Sequence, residues 1–199
     1  MRGVTRQLHG DEGVSCVELL LGLLLIALLT SLAVPVTAHS IDAARARHAA
    51  GFIAARFRLA RQDAVFRTRS TGVVFDLAAT GWTFRVCADG NGNGIRRTDI
   101  AGGEDACHEG PYHLAQMFPG VEVAIDAALP GPDGDPGTSD PVRFGASNIA
   151  SFSPEGTGTA GTLFLRSARG GQYAIRLNNI TGRTRILRYD PGSLAWVMR

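Results

Sequence analysis

The feature that most constrains the fold is a predominantly apolar run from Leu19 to Val34, with a single acidic residue, Glu18, directly before it. Counted from Val14, the run has the length of about 20 residues that a helix needs to cross the hydrocarbon core of a bilayer. A carboxylate inside lipid is costly, and segments that keep one generally use it. A short basic segment precedes the run and marks its cytoplasmic end. The sequence therefore predicts a membrane-spanning helix in which Glu18 is functional.

The residues around Gly13 distinguish this anchor from a cleavable signal peptide. A signal peptide has an apolar region of about 7–15 residues followed by a small-residue cleavage site, and no such site follows Val34. Gly13 followed by Val-Ser-Cys-Val-Glu-Leu-Leu-Leu resembles the class III leader of type IV pilins and type II secretion pseudopilins. The alternative is an ordinary signal anchor with an incidental Glu18.

The resemblance implies roles for four residues. A prepilin peptidase would cut after Gly13, and the new N-terminal residue, Val14, would be N-methylated, although the family usually has Phe at this position. Glu18 would neutralise the α-amine of a neighbouring subunit in a filament, where pairing in a low-dielectric core also sets the register. Pro35 stands where the family commonly has a helix-kinking proline.

A one-sided apolar stripe follows Pro35. Its members recur at spacings of three and four, which is typical of an amphipathic helix: Ile53, Phe57, Ala60 and Ala64. We predict one helix over residues 15–66, apolar all round in its first half and one-sided in its second. The arginines on its second half indicate a solvated face or a contact with an anionic lipid or polyanion.

The rest of the chain has the composition of a β-rich domain. The sequence contains 25 Gly and 9 Pro, which favours many turns over a helical bundle. Residues 129–141 are too rich in Gly, Pro and Asp for regular structure. Runs rich in β-branched and aromatic residues, or alternating in polarity, predict the strands: Gly72–Leu77, Trp82–Cys87, Val121–Ile125, Gly161–Leu165, Gln172–Leu177, Arg183–Tyr189 and Ala195–Met198.

Three C-terminal segments carry a second resemblance: Phe152-Ser-Pro-Glu-Gly156, Gly161-Thr-Leu163 and Ile180-Thr-Gly-Arg-Thr-Arg185. They are similar to the C-terminal part of the GspH/FimT group of minor pseudopilins and pilins. This resemblance implies the pilin-like α+β fold, in which a long N-terminal transmembrane α-helix packs against a C-terminal antiparallel β-sheet head.

The predicted organisation has four parts. A prepilin leader covers residues 1–13, a transmembrane and assembly helix covers 14–35, the amphipathic half of the same helix covers 36–68, and a periplasmic, β-rich, GspH-like head covers 69–199. The protein would be a single-pass protein of the inner membrane, with its N-terminus in the cytoplasm. Its expected partners are other pseudopilins or pilins in a filament, with a prepilin peptidase as the processing enzyme.

The three cysteines fall into two classes. Cys87 and Cys107 lie in the polar half of the chain, and an exported domain would oxidise them to a disulfide. Closing a loop of this length stabilises a fold by about 3 kcal/mol in the chain-entropy model. Two free thiols in a cytosolic protein are the alternative. Cys16 lies in the apolar run, where a thiol behaves as a small hydrophobic group.

One segment matches the start of a calcium-binding loop. Asp89, Asn91, Asn93 and Gly94 occupy its first, third, fifth and sixth positions, where alternate oxygens converge on a cation and the glycine permits a sharp turn. The twelfth position, which should supply a bidentate Glu, is Ile100. A calcium site formed by Asp89, Asn91 and Asn93 and a Gly/Asn-rich turn without an ion are both compatible with the pattern.

Arginines are concentrated near the C-terminus. The net charge of +2 does not indicate a polyanion-binding surface over the whole protein, but Arg183, Arg185 and Arg188 follow one another with no acid between them. Arg183 and Arg185 would lie on one face of a strand, and guanidinium groups suit phosphate oxygens. In the FimT branch this kind of motif is associated with DNA binding. The alternative is a charged strand edge that discourages aggregation.

The sequence favours a structural function. We find no spacing typical of catalytic or metal-binding histidines, no nucleophile elbow and no phosphate-binding loop, so we predict a non-enzymatic protein without a cofactor, calcium excepted. The leading hypothesis is a minor pseudopilin of a type II secretion system, a structural subunit of the pseudopilus that drives protein secretion. The alternative is a minor, FimT-like type IV pilin that contributes to pilus assembly or to DNA binding and uptake.

Overall fold

The computed structural model describes residues 15–198, without the side chains of residues 32–36. The leader, with the cleavage site after Gly13, and the methylation site at Val14 lie outside the described residues, as does the side chain of Pro35. The backbone divides after Ser40 into two compact units.

Helix α1 extends from Cys16 to Arg67, close to the predicted 15–66. Within the first unit its large apolar side chains are exposed: Val17, Leu19, Leu20, Leu21, Leu23, Leu24, Leu25, Ile26, Leu28 and Leu29. The sequence predicts a membrane-spanning helix over residues 14–35. Among residues 15–198, however, no helix is both long enough and apolar enough to cross a membrane, so this part of the prediction is not supported.

In the second unit α1 buries one stripe of its surface. All four residues of the predicted stripe are at most 2% exposed: Ile53, Phe57, Ala60 and Ala64. Ala46, Ala49, Ala50 and Ala54 extend the same buried face. Because most of these side chains are small, the helix backbone can approach the sheets closely. The large Phe57 fills the centre of the core, where its ring contacts those of Phe75, Phe144 and Phe152.

Two antiparallel sheets cover this buried stripe. The strands of the first sheet are β1 (Thr71–Ala78), β2 (Gly81–Ala88), β3 (Ala106–His113) and β6 (Ile149–Phe152). Those of the second are β4 (Val121–Glu122), β5 (Val142–Arg143), β7 (Gly161–Ser167), β8 (Gln172–Leu177), β9 (Thr184–Asp190) and β10 (Ala195–Met198). Within the described residues, the first sheet has the strand order β3-β2-β1-β6, and the second has the order β10-β9-β8-β7-β4, with β5 also paired to β7.

The second sheet has an inner and an outer face. On β8, Tyr173, Ile175 and Leu177 belong to the core shared with α1, and the Tyr173 hydroxyl lies 3.4 Å from the carbonyl of Ala43, to which it donates. On the opposite face, which we call the outer face, a smaller apolar cluster forms from Ile125, Phe164 and Ala174, with Leu187 and Trp196 packed against it. The outer face is therefore only partly covered.

The predicted strand Val121–Ile125 is largely wrong, because only Val121 and Glu122 are in a strand. Residues four apart in a strand share a face. Val121, however, is buried in the inner core, whereas Ile125 is buried in the outer-face cluster. The chain passes around the edge of the sheet between them, and the alternating pattern reflects burial on two different faces.

Several elements were not predicted. These are β3, β5, β6 and two short helices, α2 (Arg97–Gly102) and α3 (Leu114–Met117). The other predicted strands are confirmed to within a few residues, and residues 129–140 contain no helix or strand. The architecture is α+β, with a helix packed on antiparallel sheets, and it is compatible with the pilin-like fold.

Candidate functional site

The first turn of α1 places Glu18 among exposed apolar side chains. The backbone N–H groups of Glu18 and Leu19 both donate to the carbonyl of Ser15, at 3.0 and 3.1 Å, and the Glu18 side chain is exposed. A carboxylate in a first turn also interacts favourably with the helix dipole. Glu18 is therefore available to a group outside the chain.

Two hydroxyl residues interrupt the apolar surface of α1 without leaving polar groups unpaired. The Thr30 hydroxyl is 2.9 Å from the carbonyl of Ile26, and the Ser31 hydroxyl is 2.7 Å from that of Leu28. Bonding back to the preceding turn in this way satisfies the hydroxyls within the helix. The surface from Leu19 to Ser31 can then contact an apolar environment at little cost in lost hydrogen bonds.

The loop between β2 and β3 is closed at its base by a disulfide. Cys87 and Cys107 are register partners in the antiparallel pair, and their sulfurs are 2.00 Å apart. Above them the nearly buried carboxylates of Asp89 and Asp105 accept hydrogen bonds from loop backbone. Asp89 accepts from the N–H groups of residues 91, 92 and 94, and Asp105 accepts from those of residues 90 and 96.

The other two residues of the predicted calcium site, Asn91 and Asn93, form hydrogen bonds with Asp99 of the same loop. Asn91 and Asn93 donate their side-chain amides to one oxygen of Asp99, at 3.1 and 2.8 Å. These bonds, led by the one from Asn93, lower the pKa of Asp99. Within residues 15–198, no group of three or more His, Cys, Asp or Glu side chains has a metal-binding arrangement. A calcium site at Asp89, Asn91 and Asn93 stays a prediction.

The C-terminal glycine motifs meet on one arginine of α1. The Arg61 Nε lies 2.8 Å from the carbonyl oxygen of Gly156, to which it donates. A Cβ added to Gly182 would lie 2.3 Å from that same oxygen and 2.7 Å from Arg61 Nε. Gly182 also has a positive φ of 58°, a backbone conformation that glycine adopts more readily than any residue with a Cβ. Two of the three resemblance segments, Phe152–Gly156 and Ile180–Arg185, therefore contact α1 at Arg61.

Beside this contact lies an arginine groove, a cavity of about 400 Å³ between α1 and the start of β9. Its lining residues are Arg58, Arg61, Gln62, Gly182, Arg183, Thr184 and Arg185. None of these described residues is acidic. In the part of the chain that the structure describes, Arg58, Arg183 and Arg185 also form no ion pair, so the groove has an uncompensated positive charge.

Arg183 and Arg185 also line a second cavity, which we call the outer-face cavity, with a volume of about 460 Å³. Its other lining residues are Pro132, Arg176, Asn178, Thr181, Leu187 and Trp196. Arg176 and Arg185 are register partners on β8 and β9. Arg176 is also ion-paired with Asp133, and the Trp196 indole N–H donates to the carbonyl of Pro130 at 2.7 Å. The loop of residues 129–140 is thus attached to the cavity at two points.

The structure separates Arg188 from the other two predicted arginines. Arg188 is the register partner of Tyr173, whose side chain is on the inner face. Arg185 is paired with Arg176, and both line the outer-face cavity. Sequence analysis missed Arg58, Arg176 and Trp196 as members of these cavities. For Arg176 a signal was present, because it precedes the buried Leu177 in β8 and so falls on the opposite face.

A model of the family described as type II transport protein GspH matches residues 49–182. The chain belongs to the GspH family. Members of this family are structural components of the type II secretion system, and the family is not an enzyme family. Comparisons of this GspH-family chain with curated proteins and with solved structures give no match.

The family match covers a defined part of the GspH-family structure. It begins at Ala49, within the buried stripe of α1, and ends at Gly182, the glycine in contact with Arg61. The match therefore includes the buried stripe from Ala49 to Ala64, strands β1 to β8, and both Gly156 and Gly182. The N-terminal half of α1 and the arginines from Arg183 onward lie outside it.

Proposed function

We propose that this GspH-family protein is a minor pseudopilin, a structural subunit of the pseudopilus of a type II secretion system. The family match carries the proposal. Two features of the chain support it: the exposed apolar surface of α1 from Val17 to Leu29, and the glycine-dependent packing of the head on the second half of the same helix. Exposed apolar surfaces of this extent mark sites of interaction with protein or membrane.

In this function the N-terminal half of α1 is the assembly element and associates with the inner membrane. Its apolar side chains pack against the equivalent helices of other pseudopilins. A prepilin peptidase cuts after Gly13, and Val14 becomes the methylated N-terminal residue. Glu18 then pairs with the α-amine of a neighbouring subunit, which offsets the cost of both charges and fixes the axial register.

The experiment is complementation of a strain that lacks this protein, read out as secretion of a type II substrate. Glu18→Ala should reduce secretion to near the level of the deletion strain, because the neighbouring amine loses its counter-charge. The protein level should be unchanged, because the Glu18 side chain is exposed and outside the core. Glu104→Ala, which removes an exposed carboxylate from the head, is the control and should secrete normally. Full secretion by the Glu18 variant would contradict the assembly role.

A second candidate function is that of a minor, FimT-like type IV pilin that binds DNA. The arginine groove supports it, since four guanidinium groups line it without an acidic residue among its described lining. DNA binding there would depend on Arg58, Arg183 and Arg185 together, because each can contact a phosphate.

A mobility-shift titration with purified protein tests this second function. The Arg183→Ala/Arg185→Ala variant and the Arg58→Ala variant should both bind DNA more weakly, and each lost phosphate contact should lower the salt dependence of log K by about 0.9. Arg47→Ala, an exposed arginine elsewhere on α1, is the control. Absence of any shift at low salt would reject DNA binding and leave the pseudopilin function unaffected.

A further inference from the structure

The outer-face cavity has a binding function that neither the family nor the pseudopilin role assigns. We propose that it docks an acidic peptide segment of a partner protein, one that carries carboxylates next to an apolar side chain. The cavity combines three arginines, Arg176, Arg183 and Arg185, with an apolar wall formed by Leu187 and Trp196.

One arginine of this cavity already binds a carboxylate of the chain itself, which lies in a neighbouring cavity that Arg176 also lines. Asp133, from the loop of residues 129–140, is paired with the guanidinium of Arg176. The two side chains are 38% and 52% exposed, and ion pairs with this degree of exposure contribute little to stability. A carboxylate of a partner can therefore replace Asp133 on Arg176 at a low cost to the fold.

The other two arginines have no carboxylate partner in the described part of the chain. Arg183 and Arg185 are both exposed, and Arg185 lies directly across from Arg176 in the β8–β9 register. A guanidinium group donates two parallel hydrogen bonds to a carboxylate. A segment with two or three acidic residues would satisfy all three arginines, whereas Asp133 reaches only Arg176.

The surroundings favour a peptide over a nucleic acid. Met198, on β10 and two residues from Trp196, is 64% exposed, and residues two apart in a strand share a face. Trp196 lines the cavity and packs against Phe164 and Tyr189. Arginine, tryptophan and methionine are enriched in protein interfaces. Aliphatic groups gain nothing from a phosphodiester backbone, but an apolar side chain of a peptide would remove them from water.

The test uses the full chain and three fluorescent probes: a short peptide of alternating Asp and Leu, the matching peptide of Asn and Leu, and a single-stranded oligonucleotide. Fluorescence anisotropy measures the affinity for each. The Asp–Leu peptide should bind about tenfold or more tightly than the Asn–Leu peptide. Arg183→Ala and Arg185→Ala should each weaken its binding about tenfold.

The decisive variants are in the loop. Asp133→Asn frees Arg176 and should tighten binding of the Asp–Leu peptide about threefold. Asp135→Asn removes the same charge from the same loop, but Asp135 lies 3.9 Å from Arg143, and Arg143 is not part of the cavity. The Asp135→Asn variant should therefore bind the Asp–Leu peptide as tightly as the unmodified protein does. Tighter binding cannot result from misfolding, so the pair of variants separates the site from a general loss of stability.

Three results would overturn the proposal. The Asn–Leu peptide could bind as tightly as the Asp–Leu peptide, the two loop variants could change affinity equally, or the Asp–Leu peptide could fail to bind. If the oligonucleotide alone binds, and Arg58→Ala abolishes that binding, the arginines form a phosphate site in the arginine groove. A secretion defect of Glu18→Ala is independent of all these outcomes.

Discussion

At the scale of single residues, two glycines and one arginine determine how the C-terminal motifs contact the helix. The carbonyl of Gly156 accepts a hydrogen bond from Arg61, and Gly182 packs against both. At Gly182 a Cβ would lie 2.3 Å from the Gly156 carbonyl oxygen, so this position has no room for a larger residue. At Gly156 a Cβ would lie 3.0 Å from an Arg61 nitrogen, and the positive φ of 79° also favours glycine. The family resemblance in these motifs therefore has a steric cause.

The tight packing at Gly182 gives a prediction for stability. Gly182→Ala should lower the free energy of unfolding by about 3 kcal/mol, because the new methyl group must occupy a left-handed conformation and also overlaps the Gly156 carbonyl. Gly170→Ala is the matched control, since Gly170 has a φ of 83° and a Cβ added there would have nothing within 4 Å. Gly170→Ala should lower the free energy of unfolding by only about 1 kcal/mol, which is the cost of the left-handed conformation alone. Equal losses in chemical denaturation would show that the contact is looser than described.

At the scale of elements, the loop between β2 and β3 is stabilised by the disulfide at its two ends and by the buried carboxylates of Asp89 and Asp105. The disulfide of Cys87 and Cys107 joins neighbouring strands, while Asp89 and Asp105 organise the loop backbone between them. The β3 strand at the edge of its sheet makes no other strand pairing in the described chain. Its attachment to β2 therefore depends on the ladder between the two strands and on this bond.

Removing the disulfide should test that dependence. In a Cys16→Ser background, which eliminates the exposed free thiol, Cys87→Ser/Cys107→Ser should lower the free energy of unfolding by about 3 kcal/mol. The same chain with both cysteines intact, measured with a reductant, should lose a similar amount. A reductant should have no effect on the double variant. A loss in the serine variant without a loss on reduction would mean that the serines, and not the missing bond, are responsible.

At the scale of the whole molecule, the sequence predicted those helices and strands that depend on short-range patterns of apolar residues. The period of the apolar residues predicted α1 and its buried stripe, and runs rich in β-branched and aromatic residues predicted β1 and β2. Strand β3 was missed because Gly110 and Pro111 interrupt it, and proline is compatible with a strand mainly at a sheet edge, which a sequence does not reveal. The arginine groove was only half predicted, because Arg58 on α1 and Arg183 beside β9 meet through tertiary packing.

The end of the family match at Gly182 has a consequence for how such a protein can diverge. The residues that form the glycine contact, Arg61, Gly156 and Gly182, all lie within the family match, whereas Arg183, Arg185 and Trp196 come after it. Substitutions at exposed positions after Gly182 can therefore alter which molecule is recognised while the helix–sheet core stays the same. The helix–sheet contact at Gly182 and the recognition of a partner would then depend on different segments, so that one can change while the other is kept.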